Sequence, residues 1–191
     1  LGFLGEKDIT ARFKRGLVQV YGHPRKLLSK RLAALPGGEP AAWADSLGIH
    51  SFKAPELAKL AASPHWACLS RLNLGSMGYY ADWLTTPEKV GKATGDWSAL
   101  ASLPALPGLT ELDIDRQDIG IAGVQALVSG SVLDRLRHLH LDCNNLGDEG
   151  AAVLAASRTF PGLRTLLLRQ NRFRAAGFAA LASWPAFTSV R

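Results

Sequence analysis

His138, His140 and Asp142 follow one another at two-residue spacing, and 27 residues earlier the matching positions hold Glu111, Asp113 and Asp115. Residues two apart on a β-strand share a face. If the two segments are neighbouring strands, imidazoles and carboxylates confront one another across about 4.8 Å. Such a set could bind a divalent cation and, with an open coordination position, activate a water for hydrolysis. The plainer reading is that solvent-facing strand positions are polar and the imidazoles pair with the acids beside them. The sequence favours that reading, so neither a metal nor a cofactor is expected. Other catalytic signatures are missing. There is no H-E-x-x-H or G-x-S-x-G, and Gly91-Lys92 lacks the earlier glycine that a phosphate cradle needs, so no enzyme is expected.

The elements that would position these residues come from an internal repeat. Leu109, Leu136 and Leu163 are 27 residues apart, and the same offsets recur after each of them. The units read Leu109-x-x-Leu112-x-Ile114-x-x-Gln117-x-Ile119, Leu136-x-x-Leu139-x-Leu141-x-x-Asn144-x-Leu146 and Leu163-x-x-Leu166-x-Leu168-x-x-Asn171-x-Phe173. An earlier copy, Leu69-x-x-Leu72-x-Leu74-x-x-Met77-x-Tyr79, keeps the apolar offsets. Each later copy is followed by an Ala-rich stretch in which Leu127, Leu154 and Leu181 match. Alternation giving way to helical spacing predicts a strand followed by a helix in each unit. One such unit has too small a core face to stand alone, and stacking the units buries a continuous core. Asn144 and Asn171 sit where the strand turns away, and their amides can satisfy backbone groups there. Gln117 is expected to substitute imperfectly and Met77 not at all. Gly123, Gly150 and Gly177 are expected to open the helices and let backbones approach closely.

These offsets resemble leucine-rich repeats of the long, ribonuclease-inhibitor-like type, and Leu139-His-Leu-Asp-Cys-Asn-Asn-Leu-Gly-Asp-Glu-Gly-Ala151 is the closest match. The resemblance covers residues 69–191 well and 42–68 weakly, and the Ala-rich repeats are similar to those of bacterial proteins. It implies an α/β fold, a curved right-handed solenoid with a parallel concave sheet and outer helices. It also implies a non-enzymatic module that binds a protein through outward strand positions. Those are Arg71, Asn73, Glu111, Asp113, Asp115, His138, His140, Asp142, Thr165, Leu167 and Arg169. This stripe runs from acidic through histidine to basic, which calls for a complementary charged partner.

Departures from the period mark the boundaries. Leu69 to Leu109 is 40 residues, so an insertion falls at about 80–97, and a rim loop bearing Tyr80 and Trp83 could anchor a partner. The alternative is a flap in which Trp83 and Trp97 cover an imperfect core. Residues 1–41 lack the repeat and read as an N-terminal cap, with a strand at Leu17–Val20 and a basic helix at about Pro24–Leu35. Units are expected to start near residues 42, 69, 109, 136, 163 and 187, the first with Leu47 and Phe52 at core offsets. No C-terminal cap is visible, so the last unit is expected to fray, with weak dimerisation as the second outcome.

Composition excludes several classes. The chain has 191 residues, 47% of them apolar and 20% charged, and it needs no disulfide or metal staple. Cys68 and Cys143 stand apart with no C-x-x-C pair, and no apolar run reaches the ~20 residues of a membrane span. The net charge of +6 is unevenly spread. Residues 1–40 hold eight Lys and Arg against three acids, residues 109–162 hold four against eight, and residues 163–191 hold five Arg and no acid. Two basic ends around an acidic centre fit a nucleic-acid face poorly. A protein partner, no membrane, a monomer or weak dimer and a cytoplasmic location are therefore expected. Nucleic-acid binding through the basic N-terminal cap, and a metal-dependent hydrolase at His138, His140 and Asp142, are the alternatives.

Overall fold

Strands in a 27-residue unit can be short, because each needs only enough length to aim one leucine inward. The computed structural model describes residues 9–14, 17–22, 44–49, 52–61, 69–75, 97–102, 106, 108–130, 134–157 and 160–185. It opens with a hairpin of β1 (Ile9–Lys14) and β2 (Leu17–Gly22). Then β3 (Ala44–Ile49) leads to α1 (Ala54–Ala61), and β4 (Arg71–Asn73) to a 3-10 helix (Trp97–Ser102). Next β5 (Glu111–Asp113) precedes α2 (Gly120–Ser129), β6 (His138–His140) precedes α3 (Gly147–Ala156), and β7 (Thr165–Leu167) precedes α4 (Ala175–Ala182).

The seven strands form one sheet in chain order. β1 runs antiparallel to β2, and every later pair is parallel. The register sets Leu72 beside Leu112, Leu112 beside Leu139 and Leu139 beside Leu166. The helices pack on one another in the same order. This α/β arrangement with a parallel sheet fits a solenoid. The hairpin partner β1 was not anticipated, although Ile9, Ala11 and Phe13 alternate with Thr10, Arg12 and Lys14 as a strand would. The expected helix at 24–35 lies outside the described residues.

The repeat leucines are the core. Leu109, Leu112, Ile114, Leu127, Leu136, Leu139, Leu141, Leu154 and Leu163 are buried, with Leu47 and Phe52 in the first unit. Phe52 meets Trp97 edge-on with ring centres 5.3 Å apart. In the last units the Phe160 and Trp184 rings meet edge-on, and Trp184 Nε1 donates to the Ser157 carbonyl 27 residues back. The unit expected to start near residue 187 lies outside the described residues.

After each strand the chain turns sharply, with Arg116 and Asp118, Cys143 and Asn145, and Gln170 and Arg172 all at positive φ. Few side chains adopt that region cheaply, so these turns need support. Two buried asparagines supply it. Asn144 Oδ1 accepts from the Gln117 amide at 3.0 Å, and its Nδ2 donates to the Ile114 carbonyl at 2.9 Å. Asn171 repeats this one unit on, accepting from the Asn144 amide at 2.8 Å and donating to the Leu141 carbonyl at 2.7 Å. Each asparagine therefore serves the turn before its own. The glycines behave differently from expectation. α2 and α3 start three residues before Gly123 and Gly150, and a Cβ at either would collide with Ile119 or Leu146, the side chain just before the helix. At Gly177 the obstacle is Asp148 of the preceding unit.

Candidate functional site

Every three-residue strand sends its middle residue inward and leaves the flanking two half-buried on the opposite face. Arg71 and Asn73 on β4, Glu111 and Asp113 on β5, and His138 and His140 on β6 follow this pattern. On β7 Thr165, Leu166 and Leu167 are all half-buried. Pairing brings Arg71 beside Glu111 and then His138 and Thr165, and Asn73 beside Asp113 and then His140 and Leu167. The flanking residues expected from the repeat thus lie in two rows on one sheet face.

A third row follows the strands, and here the structure corrects an expectation. Asp142, expected to face solvent, is only 7% exposed. The chain has already begun its turn, so this carboxylate points along the sheet to the next unit. Asp142 Oδ1 accepts from the Arg169 amide at 2.7 Å, and its Oδ2 accepts from Arg169 Nε at 2.8 Å. Asp115 does the same one unit earlier, accepting from the Asp142 amide at 2.7 Å. Asp113 accepts from the Asp115 amide at 2.9 Å and from Asn73 Nδ2 at 2.8 Å. The approach of Asp113 to the β4 turn depends on Gly75, where a Cβ would meet Asp113 Oδ1 and the Asp115 backbone. Upstream, Arg71 is tied to Asp45, a residue not anticipated for this surface.

Charge is poorly balanced along this row. Arg71 pairs with Asp45 and Arg169 with Asp142, and no ion pair to Asp113 or Asp115 occurs among the described residues. Burial pushes the Asp115 carboxyl up to about 7, helped by the charges of Asp113 and Asp142. Burial also raises Asp113, against the Asp115 amide and the neighbouring His140, which favour its charged form. The Cys143 thiol is raised by burial too and lies 2.9 Å from Gln170 Oε1.

Of the six residues first considered for chemistry, Asp113, Asp115 and His140 converge, with possible ligand atoms all within 4.8 Å of one another. Two carboxylates and an imidazole could hold a divalent cation. His138, Glu111 and Asp142 fall outside the group. Tyr80, Trp83 and the basic segment at 24–35 lie outside the described residues. Sequence reasoning missed Asp148, whose Oδ1 accepts from the Arg174 amide at 2.8 Å and the Gly177 amide at 2.9 Å, tying α4 to the previous unit. Its place in the first turn of α3 was the available signal.

A family described as Leucine Rich repeat matches residues 136–155, which span β6 and nearly all of α3. Among solved structures, an internalin from Listeria monocytogenes is similar at 22% identity over 76% of this chain, with a TM-score of 0.37. The match covers 42% of that internalin, so the chain spans less than half its length. No curated protein matches the sequence. Among the described residues no helix is long and apolar enough to cross a membrane.

Proposed function

We propose that the chain is a non-enzymatic leucine-rich-repeat module of the ribonuclease-inhibitor-like type, of bacterial origin, that binds a protein on the concave face of a right-handed curved solenoid. One observation carries this reading: the repeat holds its inward leucines constant while the residues on the opposite sheet face change type from unit to unit. Leu112, Leu139 and Leu166 align, whereas the flanking pairs are Glu111 and Asp113, His138 and His140, Thr165 and Leu167. A constant scaffold with varied polar positions is what specific recognition requires. The physics of stacking supports curvature, since strands repeat about 4.8 Å apart while helices need roughly 8–10 Å, which makes the sheet the inner side. Strand–helix–strand crossovers are right-handed in nearly all parallel sheets.

The contact residues in this reading are Arg71, Asn73, Glu111, Asp113, His138, His140, Thr165, Leu167 and Arg169, with Asp115 and Asp142 holding the turns beneath them. Tyr80 and Trp83 belong to a rim loop that adds aromatic anchors. The domain division is a cap at 1–41 and repeats from 42 onward. The location is cytoplasmic, a reading supported by the free Cys143 thiol. Affinity capture compares the native chain with a Glu111→Lys, His138→Ala, His140→Ala triple variant of unchanged circular dichroism. A protein retained by the first and lost by the second is the expected result; identical captures would defeat the concave-face reading.

The convergence of Asp113, Asp115 and His140 is the observation that favours a metal-dependent hydrolase as second reading. Calorimetric titration with zinc separates the two. The interaction-module reading expects no site tighter than about micromolar. Stoichiometric zinc that disappears in His140→Ala would replace it.

A further inference from the structure

One residue before each repeat strand the backbone forms a row of its own. The Ser70 amide donates to the Asp45 carbonyl at 3.0 Å, Thr110 to Ser70 at 2.9 Å, Arg137 to Thr110 at 2.8 Å and Arg164 to Arg137 at 2.8 Å. These bonds set Asp45, Ser70, Thr110, Arg137 and Arg164 side by side, each next to its counterpart in the neighbouring unit. The row borders the outward strand positions, because Arg71, Glu111, His138 and Thr165 each come one residue later.

The two ends of this row use their polar side chains differently. Asp45 accepts from the Ser70 hydroxyl and pairs with Arg71, and the Thr110 hydroxyl donates to the Ser70 carbonyl at 3.3 Å. There the chain satisfies itself. Arg137 stands between Thr110 and Arg164, so two like charges are neighbours across one rung. Both arginines are exposed, and among the described residues neither side chain has an ion pair or a hydrogen bond. Glu111, diagonal to Arg137, and Asp134, three residues before it, pair with neither. Adjacent like charges on a sheet cost stability, and no described acid of this chain offsets that cost.

The same face shows which chemistry would. Its two paired arginines, Arg71 and Arg169, are both held by carboxylates, those of Asp45 and Asp142. Beside Arg137 and Arg164 lie His138 and Thr165, two more side chains that can donate, and none of the four is anionic. We propose that Arg137 and Arg164, with His138 and Thr165, form a docking patch for a stretch of Asp or Glu residues in a protein partner. The planar guanidinium fork meets a carboxylate with two parallel N–H groups, which gives the contact direction as well as charge. A nucleic-acid backbone fits the surroundings less well. Glu111 lies beside His138 and Asp113 beside His140, and both would repel a continuous run of phosphates. The inference rests on the concave-face reading for the partner being a protein, and adds two arginines that this reading did not assign.

Fluorescence anisotropy on the 191-residue chain follows a labelled peptide alternating Glu and Gly, with a Gln and Gly peptide as neutral control. Saturable binding of the Glu peptide alone is expected, weakening as salt rises. Arg137→Gln combined with Arg164→Gln, of unchanged circular dichroism, should weaken it about fivefold or more, the worth of two exposed ion pairs. Lys53→Gln combined with Lys59→Gln removes the same charge from exposed sites at the start and end of α1, and should change it less than about twofold. Equal losses in the two double variants would reduce the effect to net charge and overturn the proposal. So would no saturable binding, equal binding of the Gln peptide, or a short single-stranded DNA held more tightly than the Glu peptide by the same arginines. Partner capture is read separately. A partner lost on changing Glu111, His138 and His140 but retained by the arginine variant would leave the concave face standing and defeat this patch.

Discussion

Two ladders cross the same turns of this protein, one of amides and one of carboxylates, and they do similar work at different cost. In the first, Asn171 and Asn144 each accept a backbone N–H and donate to a carbonyl, so both ends of a neutral side chain are used. In the second, Asp113, Asp115 and Asp142 also accept backbone N–H groups at about the same distance. A carboxylate cannot donate when ionised, and its charge must be balanced. Only Asp142 of these three has an arginine partner among the described residues, and burial, helped by the neighbouring acids, pushes the Asp115 carboxyl up to about 7. The amide ladder is built for stability. The carboxylate ladder leaves part of its charge unpaired on the face that carries the varied residues, as the proposed binding of a partner there would use.

The largest expected effects lie in the amide ladder and the leucines around it. Asn144→Ala removes the acceptor for the Gln117 amide and the donor for the Ile114 carbonyl, and leaves the turn with Arg116 and Asp118 at positive φ without support. A loss of about 3–5 kcal/mol in urea unfolding is expected. Leu139→Ala should cost about 2–5 kcal/mol, because this side chain is shared between two stacked units. If Asn144→Ala cost less than about 1 kcal/mol, the two ladders would be equivalent and the contrast between them would fall.

A smaller effect, of opposite sign, is expected in the carboxylate ladder. The folded Asp115 pKa of about 7 lies above the ordinary carboxylate value of about 3.9, so the folded state binds this proton more tightly than the unfolded state. Its stabilising contribution is present in full below about pH 4 and is lost as pH rises toward 7. Asp115→Asn keeps an oxygen for the Asp142 amide and removes the charge. The variant should be more stable than the native chain at pH 8 by about 1–2 kcal/mol, a range reduced for solvent screening, and the advantage should vanish near pH 4. Equal stability at pH 8 would show that the acidic row is already compensated.

The amide ladder was legible in the sequence and the carboxylate ladder was not. Asn144 and Asn171 recur at one offset within a fixed apolar frame, so their position at a turn follows from the period alone. Leu112, Leu139 and Leu166, with the parallel register between them, follow for the same reason. The pattern also ranked the flanking residues, since alternation needs only a strand. It failed one residue later. Asp142 shares the two-residue spacing of His138 and His140, yet the strand ends at His140, and a turn with Cys143 at positive φ swings the carboxylate onto the next unit's amide. Spacing cannot reveal where alternation stops when a polar residue lies on either side of the stop. The hairpin strand β1 was readable from its alternation and went unread because it lies outside the repeat.

The smallest expected effect separates the two halves of the Asp142 contact. Arg169 reaches this carboxylate twice, with its backbone amide on Oδ1 and its side-chain Nε on Oδ2. The arginine side chain is 71% exposed, so its share is that of a surface ion pair, screened by water and offset by lost rotamer freedom. Arg169→Ala removes the side chain and keeps the amide. The expected loss is below about 1 kcal/mol and should disappear in 1 M salt, because screening leaves only the backbone bond. Asp142→Ala, in contrast, strips the acceptor from a turn amide and should cost about 1–3 kcal/mol regardless of salt. If Arg169→Ala proved as costly as Asp142→Ala, the guanidinium would be the principal support of that turn. The carboxylate ladder would then depend on its charge balance, as the amide ladder does not.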